Sequence, residues 1–204
     1  MSGYCSYFVI LKLLATVINI EISLAKSEDF ENILALQEIS LRLLISKEYN
    51  SQQIESLIRD QRLARTRLDE IIFLAHSGSQ LVGFAALLRH TPEIGAVFVH
   101  PDFIRQGIGT NLLKAVENKA IENKYKTIYV MSSLSAVNFY RSLGYERIQK
   151  SGFYSEGKIW VSSVNMKKQL IPMTTREILT RKIIFIVVVL ILLFIVIVTL
   201  MQLV

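Results

Sequence analysis

The stretch Val97-Phe98-Val99-His100-Pro101-Asp102-Phe103-Ile104-Arg105-Gln106-Gly107-Ile108-Gly109-Thr110, followed by Asn111-Leu112-Leu113, constrains this chain more than any other. An apolar strand feeds a tight loop with two glycines, and the loop opens a helix in which Ile108, Leu112, Val116 and Ala120 share one face. Backbone N–H groups converge at such a helix start and make an anion site suited to a pyrophosphate. Gly107 and Gly109 permit the turn and remove side chains that would hold phosphates away. A G-x-G alone is a weak signal; its place between a strand and an amphipathic helix strengthens it.

The surrounding pattern reads as an α/β domain with a mixed sheet. Ile18, Ile20, Ile22 and Leu24 alternate with polar residues, the period of a half-buried strand. Ser27 is placed to cap a helix running to about Leu44, with Glu28, Asp29 and Glu31 in its first turn. Asn50 or Ser51 opens a second helix, in which Arg59, Arg62 and Arg65 recur at helical spacing. A solvated face is preferred for these arginines over contact with an anionic lipid or substrate. Strands follow at Ile71–Ala75, Leu81–Leu88 and Ile94–Val99, the first two joined by the turn Ser77-Gly78-Ser79. After the helix from about Ile108 to Asn123 come a strand at Thr127–Met131, a short helix Ala136–Leu143 ending at Gly144, and a last strand Trp160–Met166.

V-x-V-H-P-x-x-x-R-Q-G-I-G-x-x-L-L resembles the acetyl-CoA motif of the GNAT N-acetyltransferases. Ala136-Val137-Asn138-Phe139-Tyr140-Arg141-Ser142-Leu143-Gly144-Tyr145 resembles the family's A-x-x-F-Y-x-x-x-G-F. Two motifs in the right order and context are far more specific than either alone. A dinucleotide-binding domain would need a longer G-x-G-x-x-G and a later acidic residue, which are missing. The resemblance covers roughly 18–170. It implies a GNAT-type acyl-CoA N-acyltransferase fold whose sheet splays open between Ile94–Val99 and Thr127–Met131. The pantetheine arm of acetyl-CoA would lie in that gap, against the backbone of Phe98 and Val99. Arg105, Gln106, Gly107, Ile108, Gly109 and Thr110 would take the pyrophosphate, and Ser133 would contact the cofactor from the next strand. Two positions depart from the family: Ile104 replaces an Arg or Gln, and Ser133 replaces an Asn. Weaker binding is expected from them, without its loss.

The resemblance makes Tyr140 the general acid that faces the sulfur, and it matches Glu93 to the position of a basic glutamate in histone-type members. A backbone N–H near Phe98–Val99 would polarise the carbonyl. His100, just before Pro101, is assigned a structural role, and Tyr145, Tyr154 and Trp160 are read as core or pocket wall. The reaction implied is acetyl transfer to an amine by direct attack. The alternative is a catalytically degenerate acetyl-CoA-binding or scaffolding module at a membrane. The acceptor, whether protein, peptide or small molecule, carries no diagnostic pattern.

The positive mean hydropathy of +0.40 comes largely from Ile183–Val204, which carries no charged residue and only Thr199 and Gln202 as polar ones. At ~1.5 Å per residue the run spans about 33 Å, enough for the ~30 Å hydrocarbon core. A transmembrane helix, tail-anchored in type, is expected there. Arg176, Arg181 and Lys182 precede it, in a basic linker over 171–182, so the domain is expected on the cytoplasmic side. Residues 1–17 form an extension too short in its apolar part to span a bilayer. Net charge is +6, from 23 basic and 17 acidic residues, yet no aromatic-basic interleaving supports a nucleic-acid partner. With the single cysteine Cys5 and three histidines, no intrachain disulfide and no zinc-ligand spacing are available.

Overall fold

The computed structural model describes residues 19–66, 69–172 and 174–201. The expected extension 1–17 lies outside them. The chain divides into two compact units, one ending at Leu170 and one beginning at Ile171.

The first unit is built on a seven-stranded sheet in the order β1-β2-β3-β4-β5-β7-β6. Its strands are β1 (Ile20–Leu24), β2 (Glu70–Ser77), β3 (Gln80–Leu88), β4 (Glu93–Val99), β5 (Thr127–Ser133), β6 (Glu146–Ser155) and β7 (Ile159–Gln169). Every neighbouring pair is antiparallel except β4–β5. That mixed sheet, flanked by helices, is the α/β architecture expected from the sequence. β6 is an addition: its run Glu146–Lys150 is wholly exposed and carries a single apolar residue, Ile148, so it shows no alternation to read. Gly78, at φ +60, closes the β2–β3 hairpin.

Helix α1 (Phe30–Leu44) starts two residues later than a Ser27 cap would give. Ser27–Asp29 is instead a 3₁₀ turn, which the Lys26 N–H closes by donating to the Asp29 carboxylate at 2.8 Å. Helix α2 (Ser51–Thr66) has a reciprocal start: the Gln53 N–H donates to Asn50 Oδ1, and the Asn50 N–H donates to Gln53 Oε1, each at 2.9 Å. Helix α3 (Ile108–Glu122) lays Ile108, Leu112, Leu113, Val116 and Ala120 against one face of the sheet. There they meet Val82, Ile128, Val164 and Met166 in the main core. The opposite face is covered by α1 and α2. Ile33 and Leu36 pack on Leu74 and Phe84, while Leu41, Ile45, Tyr49, Ile54 and Leu57 pack on Val161. Helix α4 (Val137–Ser142) is short and ends at Gly144, whose φ of +88 suits glycine alone.

The arginines of α2 do not share a solvated face. Arg59 is exposed and pairs with Glu156, but Arg65 is 2% exposed and forms a buried ion pair with Glu70. Helical spacing places residues on a face without saying what that face meets, and the last turn of α2 reaches across the sheet to β2 and β4. Two aromatic assignments also change. Tyr145 is core, but Tyr154 and Trp160 form an exposed edge-to-face pair on the β6–β7 hairpin.

The second unit is dominated by α5 (Thr175–Met201). Its described apolar side chains, including Phe185, Leu190 and Leu192, are exposed. Among the described residues no helix is long and apolar enough to cross a membrane. The expected anchor is therefore carried by the sequence of 183–204 and not by the structure.

Candidate active site

The site exists because β4 and β5 part company. They pair only at Glu93↔Tyr129 and Ile94↔Val130. Beyond Ile94 the β5-facing edge of β4 has no strand partner and offers peptide groups to whatever enters. A cleft of about 140 Å³ fills the gap, walled by Ile94–Phe98 on one side and Val130–Ser133 on the other. Its lining draws on both faces of the sheet. Tyr140 borders it from the core beneath α3, and Tyr49 and Leu57 border it from the α1–α2 side.

The divergence coincides with a bulge. The register of β4 against β3 jumps from Ala86↔Ala96 to Leu87↔Ile94, leaving Gly95 as the extra residue. The buried Arg65–Glu70 pair lies against it. Arg65 Nη2 donates to the Gly95 carbonyl at 3.4 Å, and a Cβ on Gly95 would stand 2.3 Å from Glu70 Oε1. Burial pushes the Glu70 carboxyl up against the opposing pull of Arg65.

Tyr140 is 4% exposed and stacked edge-to-face on Phe139 and Tyr145, with ring centroids 5.2 Å apart in both pairs. Burial alone pushes its hydroxyl well above the ordinary tyrosine range, so it holds its proton at any physiological pH. Across the cleft, the Tyr49 hydroxyl donates to the Ser162 carbonyl at 2.7 Å and accepts the Leu134 N–H at 2.9 Å. It thereby ties the α1–α2 junction to β7 and to the turn after β5. Ser133 lines the cleft with its Oγ 3.1 Å from that of Ser135.

At the end of β4, Arg105 (φ +64) and Gly107 (φ +79) both take left-handed backbone. Turns of this kind aim peptide N–H groups into a concavity that suits an anion. Gly107 caps α3, and the first helical bond runs from the Asn111 N–H to its carbonyl at 3.0 Å. The N–H groups of Ile108, Gly109 and Thr110 thus have no partner within the helix. Gly109 sits against Phe139, where a Cβ would lie 3.3 Å from the ring. Arg105, Gln106 and Gly107 are exposed, as is Ile104. His100 braces the loop, its Nδ1 accepting the Asp102 N–H at 3.3 Å.

The structure brings Phe98, Ser133 and Tyr140 to one cleft. Val99 does not line it, and Ser40 Oγ donates to the Val99 carbonyl at 3.1 Å. Glu93 is exposed at the head of β4, next to the cleft residue Ile94 but outside the lining. Tyr49, Gln61, Arg65 and Glu70 were not legible as site residues. They come from α2, from its junction with α1 and from β2, none of which carries a motif.

A mixed sheet that splays between β4 and β5, with a glycine-capped helix following one lip, is the fold expected of the acyl-CoA N-acyltransferase class. Comparison with known proteins gives the family: residues 45–170 match the model of the acetyltransferase (GNAT) domain, and the chain belongs to the GNAT acetyltransferases. It is 24% identical over 151 residues to the uncharacterized N-acetyltransferase YafP of Escherichia coli, covering 73% of this chain and 95% of that one. Its fold is similar to that of a GCN5-related N-acetyltransferase of Rhodopseudomonas palustris, with a TM-score of 0.70, 24% identity and coverage of 76% and 98%. It is also similar to PaiA N-acetyltransferase of Thermoplasma acidophilum, solved with coenzyme A, with a TM-score of 0.58, 21% identity and coverage of 74% and 99%. No group of three or more metal-ligating side chains occurs among the described residues.

Proposed function

We propose that this chain is an N-acetyltransferase that moves an acetyl group from acetyl-CoA to an amine by direct attack. We further propose that residues 183–204 hold it at a membrane with the domain on the cytoplasmic side. The observation that carries the catalytic reading is the cleft between β4 and β5, with the protonated Tyr140 on its wall.

The residues fit the co-substrate. The free edge of β4 offers peptide groups to an amide-bearing arm, and the left-handed Arg105 and Gly107 open a cradle for a pyrophosphate. When bound, acetyl-CoA supplies a thioester carbonyl open to attack by an amine. Peptide N–H groups of the β4 edge are the oxyanion donors in this reading, held by the Arg65–Glu70 pair. Tyr140 gives its proton to the sulfur as the C–S bond breaks and the C–N bond forms. Glu93, outside the lining, reaches the amine proton only through water. Ile104 and Ser133 favour the second reading, a domain that binds acetyl-CoA without turnover.

Thiol release from acetyl-CoA in the presence of an amine panel separates the two readings: acceptor-dependent release supports the enzyme, and binding without release supports the module. The anchor rests on the uncharged run 183–204 and the basic residues before it. Flotation of the full chain with liposomes, lost on truncation before Arg181, is its test.

A further inference from the structure

None of the residues lining the cleft is Asp, Glu, His, Lys or Arg, among the described residues. A cleft of this kind gives nothing to an ammonium ion, whose charge loses hydration there and gains no counter-charge. Its polar groups are few, and most are engaged. Tyr49 is committed to Ser162 and Leu134, Ser132 Oγ donates to the Ser133 carbonyl, and Ser133 meets Ser135. Two residues that line the cleft each carry a buried oxygen without a hydrogen-bond partner: Gln61, at Oε1, and Ser163, at Oγ.

Both stand on the side away from Tyr140. Ser163 lies two residues beyond Val161 on β7, and Val161 packs against Leu57 of α2; alternation puts Ser163 on that same face. Gln61 is one helical turn beyond Leu57 on α2. Ser163 is only 4% exposed. A buried polar atom without a partner is rare in a folded protein and calls for one.

We propose that the acceptor is a weakly basic primary amine, neutral when it enters from the α2 side, whose N–H groups are received by Gln61 and Ser163. This deepens the acetyltransferase reading and rests on it. Gln61 and Ser163 act as acceptors toward an N–H and leave the nitrogen lone pair free to face the thioester. The cleft selects against strongly basic amines because it holds no carboxylate to receive their proton. At pH 7.5 an α-amine of pKa about 7.8 and a lysine ε-amine of about 10.4 differ roughly 260-fold in neutral fraction.

The test is thiol release by the full chain in detergent with acetyl-CoA and three acceptors: alanyl-leucine amide, 4-methylaniline and the ε-amine of Nα-acetyl-lysine methylamide. At least one of the two weakly basic amines is expected to exceed the ε-amine about 100-fold or more in kcat/KM at pH 7.5. Gln61→Leu and Ser163→Ala are each expected to raise its KM about tenfold, with the KM of acetyl-CoA unchanged. Equal or faster use of the ε-amine overturns this inference and leaves the acetyltransferase reading standing. A weak-amine preference that neither substitution disturbs overturns the assignment of Gln61 and Ser163. Binding of acetyl-CoA with no release on any of the three overturns the acetyltransferase reading, and this inference with it.

Discussion

Arg65 and Glu70 form an ion pair sealed inside the domain, 2% and 7% exposed, against the peptide at which β4 bulges and leaves β5. Removing one partner leaves the other charge buried without compensation, which costs about 3–5 kcal/mol. Arg65→Met or Glu70→Leu is therefore expected to destabilise the domain by that much in urea unfolding. The double substitution should cost less than the sum of the two, because the desolvation penalty disappears with both charges. Additive losses would show that the two side chains do not act as a pair.

Tyr140→Phe keeps the ring stack on Phe139 and Tyr145 and removes only the hydroxyl. A fall in kcat of about 10²-fold or more is expected, with the KM of acetyl-CoA little changed. The direction of its pKa fixes a second expectation. A tyrosine raised by burial keeps its proton through the alkaline range, so the wild-type kcat should show no falling limb up to about pH 10. A falling limb near pH 8–9, abolished by Tyr140→Phe, would contradict the burial of this hydroxyl.

Gly107→Ala introduces a Cβ into open space but at φ +79, where the backbone strain is of order 1 kcal/mol. The loop should relax from its left-handed turn, and acetyl-CoA affinity should fall several-fold while thermal stability drops little. Gly109→Ala tests a different cause, since its Cβ would press on Phe139 at 3.3 Å. Isothermal titration of both variants checks this; unchanged affinity in each would remove the loop from cofactor binding.

Tyr49→Phe leaves the Leu134 N–H without its acceptor and the Ser162 carbonyl without its donor. A loss of about 1–3 kcal/mol in unfolding free energy is expected. The wall of the cleft should loosen with it, so the acceptor KM should rise more than the acetyl-CoA KM. A variant with wild-type stability would show that water replaces both bonds.

The sequence carried the parts of the site that are local in the chain. The left-handed turn before α3 was legible because Gly107 and Gly109 fall between a strand and an amphipathic helix. The Tyr140 segment was legible by its motif, and the parting of β4 from β5 by family resemblance. What stayed hidden is what the fold brings together from a distance. Arg65 at helical spacing looks like any surface arginine until β2 supplies Glu70, and Tyr49 carries no motif that announces two hydrogen bonds across the cleft. Strand β6 escaped because its first half is exposed on both faces and holds only one apolar residue, Ile148.

The proposed acetyl-CoA site is the gap between β4 and β5 with its loop at Arg105–Thr110. Calorimetric titration of acetyl-CoA into the full chain in detergent tests it most directly. The account predicts saturable one-to-one binding that coenzyme A competes for and Gly107→Ala weakens. No heat of binding from a sample that still unfolds cooperatively would contradict it, and would leave the fold as a scaffold.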